Sequence, residues 1–209
     1  MHPILTIKNL SLSYNSRVIY SDFNLEIKSG EKLLIKGDSG VGKTTLLRLI
    51  LGFEQPDHGT LTVMGTKVSP DTIWECRKCC AYVSQDTHIG NLTVEEFFEQ
   101  VFHYKANKAL NVVRSEIVEQ MTLFGLKPET YEAHIKNLSG GERQRIAITA
   151  AVLLKRPIYL LDEITSALDD KLKKTVASFF MKQTDKTLII VSHDNIWEEY
   201  ENVKLLNLS

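Results

Sequence analysis

The chain has 209 residues, 43% of them apolar, with 25 basic against 26 acidic side chains and a formal net charge of −1. That size suits one compact domain, or a domain with a small lobe, and the balanced charge gives no basic surplus that would point to nucleic acid. No apolar run approaches the roughly 18 residues that cross a bilayer, and the N-terminus lacks the basic start and long apolar stretch of a signal peptide.

The first 30 residues alternate in the manner of strands. Ile4, Leu5 and Ile7 lead to Leu10, Leu12 and Tyr14, and Phe23, Leu25 and Ile27 repeat at period two before Ser29-Gly30 turns the chain. An antiparallel edge sheet is expected here. A short apolar strand, Leu33 to Lys36, follows and runs into Gly37, Asp38, Ser39, Gly40, Val41, Gly42, Lys43 and Thr44, which read G-x-x-x-x-G-K-T. Beyond them Leu46, Leu47, Leu49, Ile50 and Leu51 predict a helix starting near Lys43. Glycines let successive backbone N–H groups converge, and the helix N-terminus adds partial positive charge there. Phosphates fit such a concavity, with Lys43 reaching the terminal phosphates and the Thr44 hydroxyl available to Mg²⁺. The strand, loop and helix together predict a nucleoside triphosphate site.

Gly59 to Met64 predicts another strand, and Ala81 to Gln85 a short buried one with polar residues at its end. Between them, Cys76, Cys79 and Cys80 are three clustered thiols, an odd count that makes no disulfide framework and fits a reducing, cytosolic setting. Cys76 and Cys79 form a C-x-x-C, half of a zinc site, but no second pair or suitably spaced histidine supplies the other half. Ordinary thiols at the start of a strand are expected. Thr93-Val-Glu-Glu96 has the form of a capping box and precedes Phe97, Phe98, Val101 and Phe102 at helical spacing. Lys108 to Leu123 reads as a second helix stopped near Gly125. Residues 86 to about 137 therefore read as a helical lobe inserted into the sheet. With the helix that follows, this subdomain runs to about 155 inside a single domain spanning 1–209. The continuous apolar runs Ile158 to Leu161 and Leu188 to Val191 suit parallel strands covered on both faces. The expected architecture is α/β: a mostly parallel core sheet, an antiparallel side sheet and a helical insert.

Leu138-Ser-Gly-Gly-Glu-Arg-Gln144 stands before a long helical pattern carrying Ile146, Ala150, Leu153 and Leu154. Ser139 and Glu142 make another capping box, and two glycines at a helix start leave N–H groups open to an anion. With this motif, the P-loop and an apolar strand ending in Asp162-Glu163, the chain resembles the ATP-binding-cassette (ABC) transporter ATP-binding subunits over essentially its whole length. The resemblance implies a P-loop fold of ABC type with ATP and Mg²⁺ as cofactors. It implies ATP contacts from Tyr14, which would stack on adenine, from Gly37 through Thr45, and from Ser139, Gly140, Gly141 and Asp169. Thr44, Gln85 and Asp162 would serve Mg²⁺. Glu163 would act on the attacking water, with Gln85, Lys43 and His193 completing the catalytic set, and Ser166 to Asp169 would line a dimer seam.

Two cassettes, as a homodimer or a heterodimer, would then grip each ATP head to tail, and hydrolysis would power a separate integral-membrane permease. The permease contact is expected in the groove near Gln85 to Phe98. The protein would be cytoplasmic, peripheral on the inner face of the cell membrane, with no nucleic acid partner expected. An alternative is a non-transport cassette ATPase acting on DNA, ribosomes or cofactor assembly, whose relatives carry long insertions or paired cassettes that this sequence lacks. A third is a non-hydrolysing binding module, against which the intact Lys43, Asp162, Glu163 and His193 argue. Ile164 stands where the family commonly has proline, which frees an N–H and relaxes the turn, and is loosely similar to small FetA-type cassette subunits associated with metal export. Only sixteen residues follow His193, so no added regulatory domain is expected.

Overall fold

The structure, a computed structural model, describes residues 3–87 and 89–209. Met1 and His2, part of the N-terminal segment read above for a leader, and His88, in the expected permease groove, lie outside the described residues.

Two sheets enclose one helix. The first is antiparallel and is built from β1 (Pro3–Tyr14), β2 (Arg17–Lys28), β4 (His58–Val63) and the short β5 (Thr66–Lys67), in the order β2-β1-β4-β5. The second is fully parallel, in the order β6-β7-β8-β3-β9, and comprises β3 (Lys32–Lys36), β6 (Cys80–Val83), β7 (Ile158–Asp162), β8 (Thr187–Val191) and β9 (Val203–Asn207). Helix α1 (Lys43–Ile50) sits between them, and its Leu46, Leu47, Leu49 and Ile50 join one core with Leu5, Ile7 and Leu10 of β1 and Leu33 and Ile35 of β3.

Alternation within the parallel strands decides the other face. Leu34, Tyr159, Leu161, Leu188 and Ile190 point away from α1 into a second core. There they meet Ile148 and Ala151 of α5 (Gly140–Leu153) and Val176, Ala177 and Phe180 of α6 (Asp170–Met181). Both faces of β7 and β8 are covered, so these strands read as unbroken apolar runs. A third core holds the helical part: α3 (Val94–His103), α4 (Arg114–Leu123) and the outer face of α5 meet through Val94, Phe98, Ile117, Met121, Ile146 and Ala150.

Four local departures from the sequence expectations have physical causes. In β1 the buried positions jump from Ile7 to Leu10 because Asn9 adopts φ 48° and the pairing with β2 shifts there, a bulge that resets the phase. The helix expected from Lys108 is only a single 3₁₀ turn over Lys108–Leu110, after which Asn111 turns left-handed at φ 47° and α4 begins at Arg114. Asn tolerates that conformation better than most residues. The cysteines do not all open a strand: Cys76 lies in the short helix α2 (Ile73–Lys78), Cys79 follows it, and only Cys80 starts β6. Finally, β9 is an additional edge strand, paired in parallel with β3. Among the described residues no helix is long and apolar enough to cross a membrane.

Candidate nucleotide site

Strands β3, β6, β7 and β8 are parallel, so their carboxyl ends open on the same edge of the sheet, where α/β folds place ligands. β8 lies between β7 and β3, and in register Val191 stands opposite both Asp162 and Ile35. The loop 37–42, the pair Asp162-Glu163 and His193 are brought together by this order alone.

The loop is shaped by its glycines. Gly37 has φ 146°, and a side chain there would overlap the Leu208 carbonyl beside β9; Gly42, the residue before α1, has φ 108°. The loop is held from two sides. The buried Tyr20 hydroxyl donates to the Gly42 carbonyl at 2.9 Å, and the Arg17 guanidinium donates to the Gly40 carbonyl at 3.1 Å. Lys43 is only 8% exposed and its ammonium donates to the carbonyls of Gly37 (2.7 Å) and Asp38 (2.8 Å). Tyr20 and Arg17 carried no signal in the sequence, because a strand tyrosine and a turn arginine are ordinary until the hairpin is seen to lean on the loop. Tyr14 stands at the tip of that hairpin, paired with Arg17 across the left-handed Asn15-Ser16 turn, and 40% of its surface is exposed. Partial burial and its hydrogen bond to Glu54 hold its phenol proton more tightly than usual.

Asp162 closes β7 with 1% exposure. Its carboxylate accepts from the Thr44 hydroxyl at 3.2 Å and from the Tyr82 hydroxyl at 3.3 Å, and burial raises its pKa. Its neighbour Glu163 adopts φ 51°, a conformation that costs a non-glycine residue about 1–2 kcal/mol. Strain of this kind persists where surrounding structure enforces it. Here the Glu163 N–H donates to the Val191 carbonyl at 2.8 Å, and the following Ile164 is buried in the second core. The Glu163 carboxylate lies 3.6 Å from the His193 imidazole and accepts from the His193 backbone N–H at 3.4 Å. Burial raises the Glu163 pKa above its ordinary value, while the contacts to His193 act in the opposite direction.

Asp194 was not foreseen. It accepts from Thr165 at 2.6 Å and from Lys173 at 2.5 Å, tying the His193 segment to the turn that carries Glu163 and to α6. These two bonds hold its carboxyl below the ordinary range against the effect of burial.

The remaining predicted residues gather elsewhere. Ser139 is the cap of α5: its hydroxyl accepts from the Glu142 N–H at 3.2 Å, and the Glu142 carboxylate accepts from the Ser139 N–H at 2.9 Å. The Ser139 N–H and hydroxyl, which both donate to the Glu142 carboxylate, hold the Glu142 pKa down. Gly140 and Gln85 border one open cavity of about 460 Å³, with Asp86, Arg143 and Ser166, so Gln85 faces the start of α5. No side chain fits easily at Gly141, where a Cβ would stand 3.0 Å from the Ala167 carbonyl. Gln144, 3% exposed, donates to the Ser84 carbonyl at 3.3 Å and accepts from Thr87 at 3.2 Å, so α5 grips the segment around Gln85. Asp169 spends its carboxylate as the cap of α6, accepting from the Leu172 N–H at 2.9 Å. Among the described residues no three His, Cys, Asp or Glu side chains cluster as metal ligands. Burial pushes the Cys80 thiol up to about 12.

A family profile described as ABC transporter matches residues 20–166. The chain is 35% identical to the spermidine/putrescine import ATP-binding protein PotA of Spiroplasma citri, over 91% of this chain and 55% of the relative. It is 31% identical to the ATP-dependent lipid A-core flippase of Pasteurella multocida, over 90% of this chain and 34% of that protein. The chain thus spans about half the length of the PotA relatives it matches. Among solved structures, a dimeric ATP-binding cassette in a post-hydrolysis state with ADP and Pi superposes with a TM-score of 0.84 at 27% identity, covering 98% of this chain and 96% of that one. A bacterial Atm1-family ABC exporter with ATP bound gives 0.84 at 25% identity, covering all of this chain and 38% of the exporter. Motifs, fold and relatives agree, and the chain belongs to the ABC transporter family as one of its ATP-binding cassettes.

Proposed function

We propose that this cassette hydrolyses ATP at a head-to-tail dimer seam and thereby drives a separate integral-membrane permease. The observation that carries it is the meeting of Lys43, Thr44, Asp162, Glu163 and His193 at one sheet edge, while Gly140, at the start of α5, lines a cavity that none of those five residues borders. One chain therefore offers a phosphate cradle and, apart from it, a second anion-ready helix start. Two copies, or this chain and a second cassette, bring one of each to every ATP.

Tyr14 offers an exposed ring to the adenine, and the loop N–H groups of residues 37–45 receive the phosphates. On phosphate binding the Lys43 ammonium exchanges loop carbonyls for phosphate oxygens. Thr44 and Asp162 present a hydroxyl and a buried carboxylate, hard oxygen donors of the kind Mg²⁺ takes. When bound, the ion would neutralise charge on the terminal phosphates. Glu163 accepts a proton from water as that oxygen bonds to the γ-phosphorus and the bond to the bridging oxygen of ADP breaks. His193 contacts the γ-phosphate, Ser139, Gly140 and Gly141 receive it from the opposite subunit, and Asp169 lines the seam. Gln85 reports on metal or water to the permease, which docks near Gln85 to Phe98 against the helical lobe. The unit works as a single domain over 1–209, with residues 86–155 as its helical part, at the inner face of the cell membrane.

Glu163→Gln loaded with Mg-ATP should run as a dimer in size-exclusion chromatography, and adding Ser139→Arg should return it to a monomer. A dimer that survives Ser139→Arg refutes the seam. Affinity purification from detergent-solubilised membranes should bring down an integral membrane protein; recovery of DNA or ribosomal particles instead would overturn the transport role.

A further inference from the structure

Asp162 has two carboxylate oxygens, and only one of them faces Thr44. The other, Oδ2, lies 3.3 Å from the hydroxyl of Tyr82, while Oδ1 receives Thr44 at 3.2 Å. With 1% of Asp162 exposed, water has little access, and a buried carboxylate oxygen without a donor costs more than an ordinary lost hydrogen bond. The phenol is placed by strand register. Tyr82 pairs with Leu160 on the neighbouring strand, and Asp162 lies two residues further along, on the same face of the sheet. The ring packs against the core around α1, so its hydroxyl is presented to Asp162 from a fixed direction.

A carboxylate gripped from both sides cannot turn about its Cβ–Cγ bond without giving up one of its donors. We infer that Tyr82 is a positioning residue for the cation site, holding the Asp162 carboxylate in the rotation that aims Oδ1 at Thr44. Tyr82's role rests on Asp162 and Thr44 serving Mg²⁺ as proposed above. Partners that orient a metal-binding side chain govern affinity for the ion without touching it. Among the described residues the Tyr82 hydroxyl hydrogen-bonds to Asp162 alone, so its effect is expected in metal dependence.

Tyr82→Phe tests this, because it keeps the ring and its packing and deletes one oxygen. Binding of a fluorescent ATP analogue to the full chain is titrated with Mg²⁺, and with Mn²⁺ followed by electron paramagnetic resonance. In EDTA the variant should bind nucleotide as the wild type does, whereas the metal concentration giving half the effect should rise about tenfold. A wild-type metal curve in Tyr82→Phe overturns the assignment. So does an equal loss of binding in EDTA, which would mean that the phenol supports the whole pocket. Asp162→Asn separates the two levels. It should abolish the metal effect, and if it does while Tyr82→Phe behaves as wild type, the Tyr82 role alone fails. A wild-type metal curve in Asp162→Asn removes the cation site itself and the Tyr82 role with it.

Discussion

Lys43 holds the phosphate loop together before any phosphate arrives, and its removal should register in the protein without nucleotide. Its ammonium, 8% exposed, donates to the Gly37 and Asp38 carbonyls at 2.7 and 2.8 Å. Hydrogen bonds from a charged donor contribute about 1.5–3 kcal/mol each. Burial of the ammonium offsets several kcal/mol of that total, and the exposed Asp38 carbonyl can recover water. Lys43→Met, which keeps the aliphatic stem, should therefore cost about 1–2 kcal/mol. At 2–4 °C per kcal/mol for a chain of this size, the melting temperature falls by about 2–8 °C. Nucleotide affinity should drop at least about 30-fold, the equivalent of about 2 kcal/mol for one lost partner of a charge pair. Differential scanning calorimetry without nucleotide and isothermal titration with Mg-ATP read the two effects. A variant as stable as wild type shows that the ammonium does not brace the loop. A variant that keeps wild-type affinity refutes the phosphate role.

Two further outcomes follow from the same edge of the sheet. As the base proposed above, Glu163 would work deprotonated, so the rate should rise with pH through its pKa; burial lifts that pKa above the ordinary 4.5, and the acid limb of single-turnover hydrolysis should have its midpoint above that value. A midpoint at or below it refutes Glu163 as the base. Gly37→Ala and Gly40→Ala both place a side chain at positive φ, but only the first meets backbone, at Leu208, whereas Gly40 meets nothing nearer than the Arg17 guanidinium at 3.6 Å. Gly37→Ala should cost at least about 1 kcal/mol more than Gly40→Ala in urea unfolding, and equal costs would show that the loop does not rest on the β9 end.

Much of the fold was legible because its strong signals are local. Continuous apolar runs marked β7 and β8, the glycine pattern marked the turn into α1, and the boxes at Thr93 and Ser139 marked α3 and α5, since each is physics confined to a few neighbours. What stayed hidden depends on distant contacts. β9 is an edge strand whose Lys204 and Leu205 are exposed, so no inward-facing pattern announced it. The six residues of α2 complete too few turns to show a period. The bonds from Tyr20, Arg17, Tyr82 and Asp194 join side chains of common types across long sequence separations, and such types carry no meaning until the sheet order brings them together. The candidate residues that meet at the sheet edge stood out for the opposite reason: they sit at strand ends and beside loop glycines, where the backbone itself constrains the residue.

Gln144 has one consequence that reaches beyond its own chain. Its amide clasps Ser84 and Thr87 from within α5, so the segment around Gln85 and the serine-glycine tip are joined as a single part. In the head-to-tail pair proposed above, that tip would belong to the neighbour's ATP, while Gln85 would serve its own. A tug delivered by the proposed transmembrane subunit at one cassette would then be felt at both nucleotides, which would give the pair a mechanical reason to fire in concert.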